Sequence, residues 1–264
     1  MYYPNDHTFV LCAYGESPYL EDCLHSLLDQ TVKTNLLIST STPNRHIAEI
    51  AHSYGVDLLV NNGMPGISHD WVCAISHCDT PLVTIAHQDD LYLPDFAEAT
   101  LAAFNCSSRP LISFTDYGEL RNGEAVDSSR LLNVKRLLLA PLRLPFLRAS
   151  KFVRRRTLSV GSPICCPSVT YCVGNLPEPL FLDNMKCDLD WEAWERFSRL
   201  DGDFLYIPQL LMRHRIHEDS ETTALIRDDT RASEDLTMLE KFWPVSVARF
   251  INRFYSKSMA SNDM

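Results

Sequence analysis

Four polar residues, His87-Gln88-Asp89-Asp90, follow directly on an apolar run, Pro81-Leu82-Val83-Thr84-Ile85-Ala86. β-Branched apolar residues that end abruptly in carboxylates read as a central parallel strand whose carboxyl end opens on a polar site. Ligands of open α/β sheets bind at that edge. Adjacent carboxylates repel unless solvent or a cation neutralises them, and hard oxygen donors suit magnesium or manganese. The same residues also suit a solvated turn in which an aspartate caps a helix over 93–104.

The surrounding elements must present that strand end. Residues 8–13 (TFVLCA) read as a first buried strand, and Ser17-Pro18 as an N-cap and first helical residue before an amphipathic helix over 19–29. A strand over 35–39 runs into the polar loop Thr40-Ser41-Thr42-Pro43-Asn44. A helix over 45–54 ends at Gly55, where a C-terminal glycine is expected. A strand over 56–60, turn residues over 61–66, and a helix over 68–77 carrying Asp70 and Trp71 follow. After the HQDD strand come its helix and a further strand over 111–115. Alternating strands and helices over 8–116 predict a parallel sheet with helices on both faces. Right-handed crossovers then line up Tyr14-Gly15-Glu16, the 40–44 loop, Asn61-Asn62-Gly63 and HQDD along one nucleotide-sized edge. Neither a GxGxxG fingerprint nor a P-loop is present.

The second half reads differently. Asn122-Gly123 signals a hairpin. Residues 130–156 hold nine Lys or Arg and no acid, interleaved with Leu and Phe, in a chain of net charge −10. Two readings stand: a helix with a solvated basic face, or a patch that meets an anionic membrane or a phosphate-bearing substrate. Pro141 and Pro145 interrupt any helix there. A loop and strand are expected over 162–174, a helix with a charged start over 188–200, and a strand or strand pair over 204–213. A polar segment over 214–223, closing helices over 231–243 and 244–255, and a frayed end complete the chain.

Composition narrows the classes. At 45% hydrophobic and 22% charged, the chain supports a sizeable globular core. Its net negative charge argues against nucleic acid as a partner. No apolar run approaches the ~18 residues a spanning helix needs. The polar start predicts no signal peptide. Nine scattered cysteines predict a reducing, cytoplasmic setting. Cys12, Cys23, Cys73 and Cys78 read as small core residues. A zinc site from Cys165, Cys166, Cys172 and Cys187 with His214 or His217 lacks the usual ligand spacing.

The opening TFVLCAYGESPYLEDCLHSLLDQT, with Leu-x-x-Cys-Leu-x-Ser-Leu-Leu-x-Gln-Thr over 20–31, resembles the first strand, loop and helix of the family 2 glycosyltransferases. VTIAHQDDLYLPDF resembles their metal-binding DxD strand end. CDLDWEAWERFSRLDGDFLYIP and HRIHEDSET resemble two later segments, so the resemblance spans about 8–223. It implies a single GT-A-like domain over 1–264: a mostly parallel sheet flanked by helices, with a nucleotide-sugar half (8–116), an acceptor and catalytic half (117–223) and C-terminal helices (224–264). It implies inverting transfer from a nucleotide-sugar donor to a saccharide or lipid-linked acceptor, assisted by Mn or Mg, in polysaccharide or glycoconjugate synthesis.

Under this resemblance Asp89 and Asp90 hold the metal directly, through water, or by way of the donor's ribose. Asp190 matches the catalytic base, with Asp188 as the alternate, and helix capping is the plainer reading of both. Trp191 offers an acceptor sugar a flat apolar face. His217 is a further metal ligand or a diphosphate contact, and Arg215 offsets diphosphate charge. Tyr14 and Glu16 are expected at the base or ribose. Asp70 either reaches the cleft or caps its helix. Two departures matter. The loop after the second strand has no acid to read the nucleobase, leaving Thr40, its neighbouring hydroxyls and Asn44. His87 replaces the first acid of the DxD. Peripheral membrane contact through 130–156 would place the protein at the inner face of a membrane. The rival reading is a non-catalytic carbohydrate- or nucleotide-binding module on the same scaffold. A nucleotidyltransferase would carry a glycine-rich basic loop that 14–18 is not.

Overall fold

The computed structural model describes residues 1–64, 66–217 and 230–260. Pro65, residues 218–229, which include part of the expected polar segment and the start of the expected C-terminal region, and residues 261–264, among the last residues expected to fray, lie outside the described residues.

β1 (His7–Ala13) is apolar from Phe9 onward because both its faces are covered. Phe9, Leu11 and Ala13 enter one core, against Leu20, Cys23, Leu24 and Leu27 of α1 (Leu20–Leu28) and Ile47 and Ile50 of α2 (Arg45–Tyr54). Val10 enters the other core, against Ala74 and Ile75 of α3 (Ile67–Ser76) and Trp191, Trp194 and Phe197 of α8 (Leu189–Phe197).

β2 (Asn35–Thr40), β3 (Asp57–Val60) and β4 (Leu82–His87) join β1 in a parallel block ordered β3-β2-β1-β4. Its register pairs Ala13 with Thr40, Thr40 with Val60 and Cys12 with His87, so these strands end at one edge. The parallel expectation stops there. β8 (Val169–Cys172), from the second half, inserts antiparallel between β4 and β6 (Pro110–Arg121). β6 then pairs in parallel with the 14-residue β9 (Asp203–Ile216), with register shifts on either side of Asp116. The Asn122-Gly123 hairpin forms as expected, both residues at positive φ, and leads into β7 (Glu124–Val126).

Two local expectations are corrected. α1 begins at Leu20 rather than after Ser17, with Tyr19 at the cap position. The Ser17 hydroxyl instead donates to Asp89 Oδ1 at 2.9 Å and accepts from the Tyr19 amide. The helix expected from 93 starts at Phe96 as α4 (Phe96–Asn105). A two-residue strand, β5 (Leu91–Tyr92), comes first and pairs with Arg213 and Met212. Asp90 therefore does not cap a helix.

Gly55 closes α2 at φ 63°, and the Asn44 side chain caps its start. The basic stretch forms α5 (Arg130–Leu139), a 3-10 turn over Ala140–Arg143, α6 (Pro145–Arg148) and α7 (Lys151–Thr157). Two of the three breaks fall at the prolines, as expected, and the third, at Ala149-Ser150, is closed by the Ser150 hydroxyl capping α7. α9 (Thr230–Glu240) and α10 (Val245–Ala260) pack beside α8 through Met238, Leu239 and Ala248.

Candidate active site

A cleft of about 780 Å³ lies along the carboxyl edge of the parallel block. It falls within the usual range for small-molecule sites. Tyr14, Glu16, Thr40, Asp70, Asp89, Asp90, Asp190, Arg215 and His217 all line it. Asn44 and Trp191 do not.

The strand ends are clamped before any ligand is considered. Gln88 joins β4 to β1 with two bonds, accepting from the Tyr14 amide at 2.9 Å and donating to the Tyr14 carbonyl at 3.0 Å. The Tyr14 ring stands exposed at the cleft lip. Asp89 sits between Ser17 and His217, whose Nε2 lies 3.3 Å from Asp89 Oδ2. Arg215 donates from Nε to the Asp89 carbonyl at 2.8 Å, and its guanidinium covers the Tyr19 ring at 4.2 Å. That contact fixes the loop carrying Asp89 and occupies part of the Arg215 fork.

Asp90 is fully buried. Its Oδ1 accepts from His214 Nδ1 and from the Arg215 amide, both at 2.9 Å, which ties the HQDD loop to β9. Burial disfavours the His214 imidazolium, but Asp90 outweighs it and the net direction of its pKa is up. Asp90 Oδ2 is buried without a hydrogen-bond partner. Such an oxygen is costly unless something cationic or protic meets it.

Among the described residues, no cluster of three or more His, Cys, Asp or Glu side chains could by itself hold a metal ion. The donor set present is one carboxylate and one imidazole facing each other, beside the orphaned Asp90 oxygen. It fits a divalent ion whose remaining ligands come from a diphosphate, since magnesium-type sites use one or two carboxylates plus substrate phosphates.

At the other end of the parallel block, α3 places Asp70 against the acid-free loop after β2. Asp70 Oδ2 accepts from the Ser41 hydroxyl at 2.8 Å and Oδ1 from Asn61 Nδ2 at 2.7 Å. Gly66, not Asp70, is the cap position of α3. Asn44 is consumed in capping: Oδ1 accepts from the Ile47 amide, and Nδ2 donates to the Gly15 and Thr42 carbonyls. Thr40 is buried, and its hydroxyl accepts from the Thr42 amide. His87 stacks on Trp71 with ring centroids 5.3 Å apart, and burial pushes its pKa down, towards the neutral imidazole.

Another part of the cleft wall is built by α8. Asp190 is half-buried in its first turn, and Oδ1 accepts from the Trp191 amide at 2.6 Å. Burial pushes its carboxyl up to about 6, against the opposing pull of that bond, Arg231 and Lys135. Trp191 is wholly buried: its Nε1 donates to the Leu158 carbonyl and its ring stacks on Phe242. The expected acceptor platform is therefore a core residue. Neighbouring helix positions are about 100° apart, so Asp190 faces the cleft while Trp191 faces inward. Trp191→Ala should cost about 3–5 kcal/mol of stability in denaturant unfolding. A variant as stable as wild type yet defective with acceptor would reinstate the platform.

Sequence reasoning missed the contribution of α9. Glu234 accepts from the backbone amides of Lys186, Cys187 and Asp188 at 2.8–3.2 Å, so a side chain from another helix caps the approach to α8. Asp188 itself makes no side-chain cap bond. Its carboxyl and that of Asp235 are both buried and face each other, with Asp188 Oδ2 and Asp235 Oδ1 lacking a donor. Burial raises both, Asp188 strongly and Asp235 to about 6, so the pair retains a proton. Only the four-residue spacing of Arg231 and Asp235, which puts both on one helix face, hinted at this group.

A raised carboxyl binds more protons folded than unfolded. Its stabilising effect is present below the ordinary carboxylate range and is lost as pH climbs through the folded value. Denaturant unfolding at pH 5 and pH 8 should show this loss in the wild type. Asp188→Asn should shrink it, because the variant leaves only one titrating carboxyl in the pair. An unchanged pH dependence would mean the two carboxyls do not share a proton.

Residues 8–159 match the family model for glycosyl transferase family 2. The fold is similar to that of S. aureus TarS 1-349 in complex with UDP-GlcNAc, at 14% identity and a TM-score of 0.56, over 89% of this chain and 71% of that one. It is also similar to the mannosyltransferase PcManGT from Pyrobaculum calidifontis in complex with GDP-Man and Mn2+, at 14% identity and a TM-score of 0.66, over 98% and 74% of the two chains. No curated protein sequence matches the chain. The fold expected from the sequence, a GT-A-like mostly parallel sheet flanked by helices, is the one observed.

Proposed function

Because the chain belongs to glycosyl transferase family 2, we propose that its cleft transfers a sugar, with inversion, from a nucleotide-sugar to a saccharide or lipid-linked hydroxyl. One observation carries this reading: the facing Asp89 and His217 side chains and the raised Asp190 carboxyl line the same cleft.

In this reading the nucleoside lies over the ends of β1 and β2, between the exposed Tyr14 ring and Asp70. The Asp70 carboxylate accepts an N–H of the base in the role left open by the acid-free β2 loop. Asp89 and His217 would hold, with the diphosphate, a Mn or Mg ion supplying positive charge against the negative charge developing on the leaving group. Arg215 positions Asp89 through its carbonyl. Asp190 takes the proton of the acceptor hydroxyl as its oxygen bonds to the anomeric carbon and the bond to diphosphate breaks. A carboxyl near 6 is ionised at neutral pH yet more basic than an ordinary aspartate, which suits a general base. Asp188 is poorly placed as the alternate, since it is buried against Asp235.

The test is calorimetric titration with UDP, GDP and dTDP, each with and without Mn2+. Binding of one nucleotide that strengthens with metal supports a transferase and fixes the donor class. No binding of any of the three to folded protein would favour the non-catalytic module.

A further inference from the structure

The basic stretch is built the wrong way round for a solvated helix. In α5, Leu132 and Leu139 are buried, but Lys135 and Arg136 turn inward too. Lys135 donates to the Tyr117 hydroxyl at 2.8 Å and Arg136 to Asp116 Oδ2 at 2.6 Å. The outward face carries Arg130, Val134 and Leu137, spaced as one helical stripe, and Leu137 is 73% exposed. The next two helices continue the pattern. Leu144 is exposed ahead of α6, Phe146 on α6 is 75% exposed, and Phe152 on α7 is 70% exposed. Five of the twelve exposed large apolar residues among the described residues fall within 134–152. Single exposed apolar residues need no explanation, but a concentration of this kind does.

The charge around these residues selects the partner. Of the nine cations, Arg136, Lys151 and Arg155 are ion-paired, and Arg154 is buried against the Leu200 and Gly202 carbonyls. Arg130, Arg143, Arg148 and Arg156 have no acidic partner among the described residues. The stretch itself contains no acid, although the whole chain carries 34. Two aromatic rings and two leucines among unpaired arginines match the two layers of an anionic bilayer surface, acyl boundary below and phosphate above. No helix among the described residues is long and apolar enough to cross a membrane, so contact here is interfacial.

We propose that the face formed by α5, α6 and α7 docks on an anionic membrane, inserting Phe146 and Phe152 at the acyl boundary while the arginines meet lipid phosphates. This proposal does not depend on the reaction assigned above, although Lys135 on the same helix lies within electrostatic reach of Asp190.

The test is co-sedimentation of the full chain with vesicles of phosphatidylcholine alone and of phosphatidylcholine with ~30% phosphatidylglycerol. Selective binding to the anionic vesicles, weakened by salt, is expected. Phe146→Ser with Phe152→Ser, and separately Arg130→Glu with Arg143→Glu, should each reduce partitioning at least about tenfold. All four side chains are exposed, and circular dichroism checks that the variants fold. Failure to bind anionic vesicles at low salt would overturn the proposal, as would binding untouched by both pairs. So would a dimer in sedimentation equilibrium that the phenylalanine pair dissolves, since a second copy would then cover the face.

Discussion

Asp190→Asn should reduce sugar transfer by about 10²–10⁴-fold while nucleotide binding stays close to wild type. The substitution keeps shape and removes the proton acceptor. Oδ1 of the aspartate receives the Trp191 amide, a bond the asparagine carbonyl can also accept, so the start of α8 should hold. The pH profile gives an independent reading. Asp190 must be ionised to act, and burial has raised its carboxyl to about 6. Transfer by the wild type should therefore climb as pH rises towards 6 and level off above it. Single-turnover rates with saturating donor would separate chemistry from binding. Wild-type turnover in Asp190→Asn would remove it as the base. A rate that falls together with donor affinity would assign it to the donor side.

Asp89→Ala should weaken Mn2+-dependent nucleotide binding by about a hundredfold, or ~2.7 kcal/mol. Asp89 is the more accessible of the two adjacent carboxylates and faces His217 across 3.3 Å. Asp90 has one oxygen committed to His214 and Arg215, so it cannot take over without loosening the loop from β9. Nucleotide binding measured without metal should change far less. If the two side chains share one ion, His217→Ala should give a similar loss, and the double variant should cost much less than the sum. Additive losses in the double variant, or equal losses with and without Mn2+, would show that the pair contacts the donor separately.

The parallel half of the fold was legible because its signals are local. Buried strands, amphipathic helices, the Gly55 stop and the Asn122-Gly123 turn each lie within a short window. The sheet beyond β4 was not legible. β8 pairs with strands about 60 and 90 residues away in sequence, and no local pattern encodes such a partner. In the site, strand ends were easy to place, and Asp89 followed from them, whereas Asp70, at a helix start, read equally as a cleft residue and as a cap. Trp191 was misread because a resemblance aligns positions but does not reveal which way a helix is turned. Asn44 was misread because one side-chain amide serves equally as a cap and as a ligand contact. Its surroundings, not its type, decide between them.

The family match ends at residue 159, yet the start of α8 is held by Glu234, and Asp188 beside Asp190 is packed against Asp235. The polypeptide emerges from the ribosome in order, so a nascent chain that has completed its nucleotide-side strands still lacks the helix that secures Asp190. If Asp190 is the base, competence to transfer waits until residues 230–240 have been made. A chain cut short by proteolysis or a premature stop before residue 230 would retain the elements of the parallel block but lose the Glu234 cap ahead of α8.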